Sequence, residues 1–552
     1  MKHLIAGITF TAMAVFAEVQ DGVGISSWCG WRPGQVSRAD CPELRSVPFV
    51  ISWNKLEPAA GRLEFDECIG EPLRVAAQDD LHVFLTIWVR PGTPDWLFDE
   101  KGVPRVYTDR NVDPLGREMS KEQNLHPYYL HPAYKEHFFK MIDACGNYVR
   151  SLPKELRERV MFVQSAEGST GDGQPYKGDP LNAEYGISAS DWNDFRRETW
   201  MRYQKAFDGI PILVNSDANT TEETVWMFDN MDVIALKHGM FSHGYHVSDN
   251  TGRLANFTTI QKEAAKRGIP VLTRGEMDGE MNVYGWSTKN IPQALYWSGL
   301  VATHCQLDIW NIPYRELMVE ANLPAFTFFN RYAGLHEAAD SSRAFCALRD
   351  GLDASDFERF PEWDFGGSPG RKNEIGRYMK IANAYSKYGA RMDDPDKALG
   401  HGMINRKRMG YNDVGWGIFP GNYCRFLEQV EPGSGDVGLW NIDESIYGRF
   451  ARSFEHESSK NQMNFRLDER FDAEQVDVRI TYLDRGRGSW SVGASGDEIK
   501  QRVRNSDSGE WKTLALRMPR SSLRNSVLEL NYVGGEDTIF HMVEVERVDA
   551  GE

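Results

Sequence analysis

The sequence has few cysteines, and none of them form a pair with the spacing of a zinc site. Seven cysteines are spread over 552 residues without a C-x-x-C motif, which disfavours a zinc ribbon or a disulfide-rich scaffold. They are Cys29, Cys41, Cys68, Cys145, Cys305, Cys346 and Cys424. An odd number cannot all pair, so at least one thiol is free. A single bridge such as Cys29 to Cys41 is compatible with an exported protein.

Long hydrophobic runs are also missing after the N-terminus. No later stretch approaches the roughly 20 apolar residues that a membrane span needs. Residues 1–17 carry Lys2 and His3, continue as an apolar run, and end on the small residue Ala17. This pattern predicts a signal peptide at 1–17, and hence a secreted or periplasmic protein without a membrane span. A buried N-terminal strand or helix is the alternative.

An excess of positive charge is lacking too. The chain has 63 Lys and Arg against 80 Asp and Glu, a formal net charge of −17. This balance disfavours a nucleic-acid-binding protein, which needs a basic face. It does not exclude an anionic substrate, because the potential inside a cleft can differ in sign from the whole. Aromatic residues, by contrast, are plentiful, and their rings can stack on the apolar faces of sugars.

Eight short apolar runs, most of them separated by helical stretches, follow the N-terminal region. They end near Trp28, Trp53, Arg90, Glu167, Asn215, His238, Glu276 and Asn311. Strands that alternate with helices predict a parallel α/β architecture, and the count favours a closed (β/α)8 TIM barrel over an open doubly wound sheet. We place this catalytic barrel at residues 18–382.

The pattern changes after a polar stretch at 383–400, which we interpret as a linker. The runs at 477–483, 489–493, 511–516 and 527–532 nearly alternate between apolar and polar residues and are separated by turn residues. Short alternating runs of this kind are typical of antiparallel strands. Residues 401–552 are therefore predicted to form an accessory β-sandwich of jelly-roll type.

Two of the predicted barrel strands finish on a glutamate, Glu167 and Glu276. Side chains at the carboxyl ends of barrel strands face the substrate. Glycoside hydrolysis requires two carboxyl groups in different charge states, so these residues predict a two-glutamate glycosidase that needs no metal and no organic cofactor. Asp172 is the rival of Glu167, and Asp278 and Glu280 are the rivals of Glu276.

Two motifs carry a resemblance to a known family. The stretch after the second strand contains Trp53, Leu56-Glu57-Pro58, Gly61 and Phe65, and the loop after the third strand runs from Pro91 to Leu97. Over about residues 22–340 the chain resembles glycoside hydrolase clan GH-A, and most of all the family 42 β-galactosidases and related algal-galactan hydrolases. The resemblance implies a retaining enzyme.

In that clan the acid/base glutamate ends strand four and the nucleophile ends strand seven. The resemblance therefore implies that Glu167 is the acid/base and Glu276 the nucleophile. One position departs from the pattern, because Ala166 stands where the clan has an asparagine that binds the sugar 2-hydroxyl. We interpret this departure as the mark of a divergent family, with loss of activity as the alternative.

The remaining candidate residues lie near the predicted strand ends and are assigned to substrate binding. The aromatic ones are Trp53, Trp88 and Trp310, and the basic ones are Arg90, Lys237, His238 and Arg274. Trp310 resembles the sugar-platform tryptophan of the clan, with a core role as the alternative. The basic residues would bind sulfate or carboxylate groups, unless they pair with the carboxylates of the pocket.

We therefore expect a secreted retaining glycosidase that cleaves a galactose-containing polysaccharide or oligosaccharide, which the basic residues would allow to be sulfated. A non-catalytic carbohydrate-binding protein on a degenerate barrel is the alternative, with Ala166 as its sign. A polysaccharide lyase that uses Lys237 and His238 is a third hypothesis, which the barrel does not favour. Sugar, linkage, endo or exo action and oligomeric state are left open.

Overall fold

The computed structural model describes residues 20–28, 30–110, 118, 120, 124–169, 173–215, 221–238, 251–277, 290–367, 371–390, 414–415, 421–431, 438–439, 445–448, 450–495, 501–523 and 527–548. The chain divides into two compact units. The first comprises Met1–Met240, Ala255–Asp278 and Leu307–Leu323, and the second comprises Phe241–Leu254, Gly279–Gln306 and Pro324–Glu552. The predicted signal peptide at 1–17 and residues 391–400 of the predicted linker lie outside the described residues.

The first unit contains a closed barrel of eight parallel strands. Around the barrel the order is β1-β10-β9-β8-β7-β6-β3-β2. The strands are β1 (Gly24–Trp28), β2 (Leu44–Ser52), β3 (His82–Trp88), β6 (Val160–Gln164), β7 (Ile212–Asn215), β8 (Ile234–His238), β9 (Val271–Glu276) and β10 (Ile309–Pro313). Each corresponds to one of the eight apolar runs, so the predicted TIM barrel is confirmed.

Helices follow most of the barrel strands, and their ends agree with local sequence signals. Pro132 opens α4 because proline lacks the amide hydrogen that a first-turn residue leaves unpaired. Ser188 caps α6, since its side chain accepts a hydrogen bond from the Asp191 amide. The helices of the first unit are α1 (Trp53–Leu56), α2 (Glu71–Gln78), α3 (Asp95–Asp99), α4 (Pro132–Ser151), α5 (Lys154–Arg157), α6 (Ala189–Phe207), α7 (Thr221–Asn230) and α10 (Tyr314–Leu317), and α8 (Thr251–Arg267) begins in the second.

Between α3 and α4, a two-stranded antiparallel sheet pairs β4 (Arg105–Tyr107) with β5 (Leu125–Pro127). Inside the barrel an apolar layer fills the half nearer the amino ends of the strands. Phe84 on β3 and Phe162 on β6 stack with ring centroids 4.6 Å apart, and Leu213, Leu272 and Ile309 pack with them. The next inward positions along the strands are polar, and the candidate site is built on them.

The second unit is a sandwich of two antiparallel sheets, as predicted. A seven-stranded sheet contains β11 (Arg343–Ala347), β14 (Tyr423–Arg425), β16 (Gly438–Leu439), β17 (Ala451–Ser453), β19 (Gln475–Leu483), β22 (Trp511–Pro519) and β24 (Ile539–Val548). A five-stranded sheet contains β15 (Leu427–Val430), β18 (Gln462–Leu467), β20 (Ser489–Ala494), β21 (Gln501–Arg504) and β23 (Val527–Gly534). Trp490, Phe465 and Leu530 of the second sheet share one buried core with Val478 and Val543 of the first.

The second unit also has α9 (Ile291–His304), α11 (Leu323–Asn330), α12 (Glu362–Phe365), α13 (Arg371–Ala384) and a parallel pair of β12 (Leu352–Asp353) with β13 (Val414–Gly415). Its seven-stranded sheet includes a strand that precedes residue 382, the predicted end of the barrel. The predicted barrel extends to residue 382, whereas β11, at 343–347, pairs with β24 of the sandwich, where Phe345 lies opposite Glu544. The difference arises because β11 is short and its partner lies about 200 residues away, beyond the reach of any local pattern.

A buried histidine on β24 should make the stability of the second unit depend on pH. His541 is fully buried on β24, its Nε2 lies 2.9 Å from the hydroxyl oxygen of Tyr296, and burial lowers the pKa of the imidazole from 6.5 to about 3. The unfolded chain therefore binds a proton on this residue at a higher pH than the folded chain does. Its contribution is fully present above pH 6.5 and is lost as the pH falls towards 3.

We predict that His541→Phe flattens this part of the pH dependence. The wild-type free energy of unfolding should fall, relative to the variant, by up to about 1.4 kcal/mol for each pH unit below 6.5, because one proton is taken up on unfolding. Urea titrations of both proteins at several pH values between 7 and 4 would measure the difference. Parallel curves would show that His541 does not titrate as inferred.

Candidate active site

Arg274 on β9 is the centre of the polar layer inside the barrel. Its side chain is fully buried, and its guanidinium donates three hydrogen bonds to other inward-facing side chains. Nη1 donates to Gln164 Oε1 on β6 at 2.7 Å, Nη2 donates to Glu276 Oε2 at 2.8 Å, and Nε donates to Asn311 Oδ1 on β10. One cation therefore connects three strands and fixes the orientation of a glutamate.

Glu276 lies at the carboxyl end of β9, between two cations. Its Oε2 accepts the hydrogen bond from Arg274, and its Oε1 is 3.0 Å from Nζ of Lys237 on β8. The glutamate is 8% exposed and Lys237 is 6% exposed, so the ion pair is largely removed from water. Each carboxylate oxygen of Glu276 therefore has a cationic partner, which offsets the cost of burying the charges.

Aromatic rings complete this part of the barrel. The guanidinium carbon of Arg274 lies 4.4 Å from the centroid of the Trp28 ring on β1 and 5.0 Å from that of Phe84. Such stacking stabilises a desolvated guanidinium. Trp28 is only half-buried, whereas Phe84 is fully buried. Trp28 is thus an aromatic side chain of the polar layer that keeps part of its surface open.

Glu167 has a different environment, three residues after the end of β6. Its Oε1 accepts hydrogen bonds from Arg196 Nε at 2.9 Å and from Trp200 Nε1 at 3.1 Å, both on α6. Its Oε2 accepts a hydrogen bond from Ser165 at 2.8 Å. Arg196 also donates to Glu223 of α7 at 2.9 Å. All three charged residues are at least 97% buried, and one guanidinium is shared by two carboxylates.

The two glutamates lie on opposite faces of the barrel sheet. Successive side chains of a strand alternate between its faces. Gln164 points inward, because it accepts hydrogen bonds from Thr86 and Arg274, and Ser165 therefore points to the helix side. Since Glu167 contacts Ser165 and α6, its carboxylate also lies on the helix side. In this structure its carboxylate does not contact the Arg274 cluster.

Two of the tryptophans predicted to bind substrate are enclosed. Trp53 is fully buried, donates a hydrogen bond to Glu57 Oε2 at 2.9 Å and packs against Trp96, Tyr134 and Phe138. Trp310 is also fully buried and points to the helix side, because its neighbour Asn311 points inward. A ring with no exposed face cannot stack on a sugar, so the assignment of both residues to substrate binding is corrected to core.

The other predicted binding residues differ in how open they are. Trp88, the last residue of β3, is half-buried. Arg90 is buried and donates from Nε to the Leu125 carbonyl at 3.3 Å, and burial lowers the pKa of its guanidinium. The side chain of His238 lies outside the described residues, as do Asp172, Asp278 and Glu280. Their assignments stay predictions.

Sequence reasoning missed four residues that the structure brings into these clusters. They are Gln164, Asn311, Trp28 and Arg196. The first two could have been found, since both are polar residues in otherwise apolar strands of the barrel. Arg196 could not, because nothing in a helix sequence shows which strand its side chain reaches.

In the described part of the chain, no group of three His, Cys, Asp or Glu side chains is arranged to hold a metal ion, and no helix is long and apolar enough to cross a bilayer.

Comparisons with known proteins identify similar folds only. No family model matches the sequence, and no curated protein matches it. Among solved structures, the β-amylase catalytic domain from Paenibacillus polymyxa aligns over 56% of this chain and 96% of its own, with 10% identity and a TM-score of 0.38. A glycoside hydrolase family 5 enzyme from Prevotella bryantii aligns over 56% and 98%, with 11% identity and a TM-score of 0.35.

A β-galactosidase from the psychrophilic Marinomonas ef1 aligns over 52% of this chain and 53% of its own, with 11% identity and a TM-score of 0.33. The class defined by the structure itself is a (β/α)8 barrel with a buried Arg–Glu–Lys cluster at the carboxyl ends of its strands, followed by a β-sandwich.

The Arg274 cluster should be critical for stability. We predict that Arg274→Gln lowers the free energy of unfolding by about 3–5 kcal/mol, because it leaves buried acceptors, including a carboxylate, without a donor. The matched control is Arg267→Gln, which removes an ion pair with Asp229 whose side chains are 37% and 59% exposed. The control should cost less than about 1 kcal/mol. Urea denaturation measures both, and equal losses would contradict the central role of Arg274.

Proposed function

We propose that this chain is an exported retaining glycoside hydrolase of clan GH-A type that cleaves galactose-containing polysaccharides or oligosaccharides. Glu276 is the proposed nucleophile and Glu167 the proposed acid/base. The proposal takes its sugar class from the sequence resemblance after strands two and three, and its chemistry from the strand ends of the barrel. No metal or organic cofactor takes part in the proposed reaction.

The environment of Glu276 is the observation that carries the proposal. A nucleophile must be negatively charged when it attacks the anomeric carbon. Lys237 at 3.0 Å and Arg274 at 2.8 Å form ion pairs with the Glu276 carboxylate and fix its orientation at the carboxyl end of the barrel. Catalytic groups of TIM-barrel enzymes occupy this end.

The environment of Glu167 differs from that of Glu276. An acid/base catalyst needs a carboxyl group that carries a proton when the leaving group departs. Glu276 contacts two cations, whereas Glu167 shares the single guanidinium of Arg196 with Glu223. Paired carboxylates with unequal surroundings are the usual basis for assigning an acid and a nucleophile. In this assignment the Glu167 carboxyl group must leave Arg196 to reach a substrate in the barrel.

The contacts of the basic residues in the site bear on whether the proposed galactan substrate is sulfated. Arg274 and Lys237 are both engaged by Glu276, so neither is open to bind a sulfate group in this arrangement. Sulfate recognition would rest on Arg90 and His238. Half-buried Trp28 and Trp88 are the aromatic side chains that can stack on a sugar ring. We therefore expect neutral galactans to be cleaved at least as well as sulfated ones.

A second candidate function is supported by the same Glu167 contacts. If the Arg196 ion pair stays closed, Glu276 is the one carboxylate of the proposed pair that remains available, and these two glutamates cannot act together. The protein would then bind a carbohydrate chain without cleaving it. Ala166, fully buried in place of the asparagine of the resembled clan, is consistent with that alternative.

The test compares reducing-end release from neutral and sulfated galactans by the wild type, Glu276→Gln and Glu167→Gln. We expect Glu276→Gln to lose about a thousandfold or more in kcat. Glu167→Gln should lose about 10²–10⁴-fold on polysaccharide and much less on an aryl galactoside with a good leaving group, which needs no acid. Glu223→Gln is the matched control, because it removes the other carboxylate bound to Arg196.

The outcomes separate the two functions. Loss in Glu276→Gln, together with a loss in Glu167→Gln that depends on the leaving group, supports the hydrolase. Equal effects of Glu167→Gln and Glu223→Gln on every substrate would give Glu167 a structural role and overturn its assignment. A wild type that binds a galactan in affinity electrophoresis but cleaves none of the panel would favour the carbohydrate-binding protein.

A second prediction concerns the aromatic residues. Trp28→Ala should raise KM or weaken galactan binding, since the half-buried ring is available to a ligand, and Trp53→Phe should lower the Tm without changing KM, because that ring is fully buried. Stacking on one aromatic side chain corresponds to about 1 kcal/mol, or roughly fivefold in affinity. Unchanged binding by folded Trp28→Ala would remove Trp28 from the site.

A further inference from the structure

Two cysteines of the second unit face each other across neighbouring strands. Cys346 on β11 is the direct partner of Cys424 on β14 in an antiparallel pair. The register is reinforced on one side by Ala347 opposite Tyr423 and by a hydrogen bond of 3.0 Å from the Arg349 amide to Asn422 Oδ1. Both cysteines are free thiols in the structure.

The geometry of this pair suits a disulfide. Directly opposite residues in an antiparallel pair have Cα atoms about 4.5–5.5 Å apart and side chains on the same face of the sheet. Disulfides join cysteines whose Cα atoms are about 4.4–6.8 Å apart. Cys346 belongs to the buried core of the sandwich and Cys424 packs against that core, so both side chains lie on the inner face.

We propose that Cys346 and Cys424 form a disulfide that joins β11 to the edge strand β14. The oxidant is a small organic disulfide such as oxidised glutathione. The thiolate of one cysteine attacks the small disulfide, forming a mixed disulfide and releasing one thiol. The other cysteine then attacks the protein sulfur and releases the second thiol. Two protein thiols are oxidised, one small disulfide is reduced, and the two protons remain on the released thiols.

The bond would close a weak point of the sheet. β14 has three residues and lies at the end of the strand order, and β11 is its one partner among the described strands of the seven-stranded sheet. It is also held by His304 on α9, whose Nδ1 accepts a hydrogen bond from the Cys424 amide at 3.0 Å. A covalent bond between β11 and β14 would tie residues 78 positions apart in sequence and stabilise the folded unit mainly by restricting the unfolded chain.

Burial of the two thiols determines whether the disulfide forms during folding or afterwards. It raises the pKa of the Cys424 thiol to about 12 and that of Cys346 well above its ordinary value, so little thiolate is present in the folded protein. The thiolate is the nucleophile of disulfide exchange. We therefore expect fast oxidation while the chain folds and slow oxidation of the folded protein. This inference does not depend on the proposed hydrolase activity.

The test refolds the full chain from urea with oxidised and reduced glutathione, alkylates the remaining thiols and digests the protein without reduction. Mass spectrometry should find the peptides of Cys346 and Cys424 linked, with a mass lower by two hydrogens. Reductant should lower the Tm of the oxidised protein by about 5–10 °C. Cys346→Ala/Cys424→Ala should lose this response, and Cys145→Ala, which alters another buried cysteine, should keep it.

Two results would overturn the proposal. One is full alkylation of both cysteines after refolding under oxidising conditions. The other is a linked peptide that joins Cys424 to Cys305 instead of Cys346. A double variant that misfolds does not block the test, because peptide mapping of the wild type identifies the bond without any substitution.

Discussion

A fully buried arginine is the constraint on which the site depends. The Arg274 guanidinium keeps its charge at any physiological pH, so its place inside the barrel requires acceptors around it. Gln164 on β6, Asn311 on β10 and Glu276 on β9 meet this requirement, and the rings of Trp28 and Phe84 flank the guanidinium. The arrangement of the polar layer is therefore fixed by interactions within the protein itself. The orientation of Glu276 follows from it.

A second buried arginine, Arg196 on α6, lies on the helix side of the barrel sheet, and the charges around it are balanced in the opposite way to those around Glu276. On the inner face two cations meet one carboxylate, and on the helix side one cation meets two. The charges around Glu167 and Glu276 are therefore unequal, which is the condition that the proposed acid and the proposed nucleophile need. Because the two carboxylates lie on opposite faces of the sheet, the proposed mechanism also requires the Glu167 carboxyl group to leave Arg196.

The sequence was sufficient to predict the architecture but not to predict on which face of the sheet each side chain lies. Apolar runs and their number predicted the barrel, because strand burial depends on composition. Which face a residue joins depends on where a strand stops, since a shift of one residue reverses the side. β6 ends at Gln164 and β2 ends at Ser52, so Glu167 and Trp53 both lie beyond the ends of their strands. Neither side chain is therefore where the sequence pattern predicted it. The pairing of β11 with β24 depends on contacts that no local pattern contains.

The chain topology also limits how the protein can be divided. Strands β9 and β10 belong to the barrel, but α9, between them in sequence, contributes Tyr296 and Trp297 to the aromatic surroundings of His541 in the second unit. β11 likewise depends on β24 for its ladder. A chain that ended at residue 382 would keep α9 and β11 and lose the strand that buries them. The barrel and the sandwich are thus two compact units of contacts, but they are not two separable lengths of sequence.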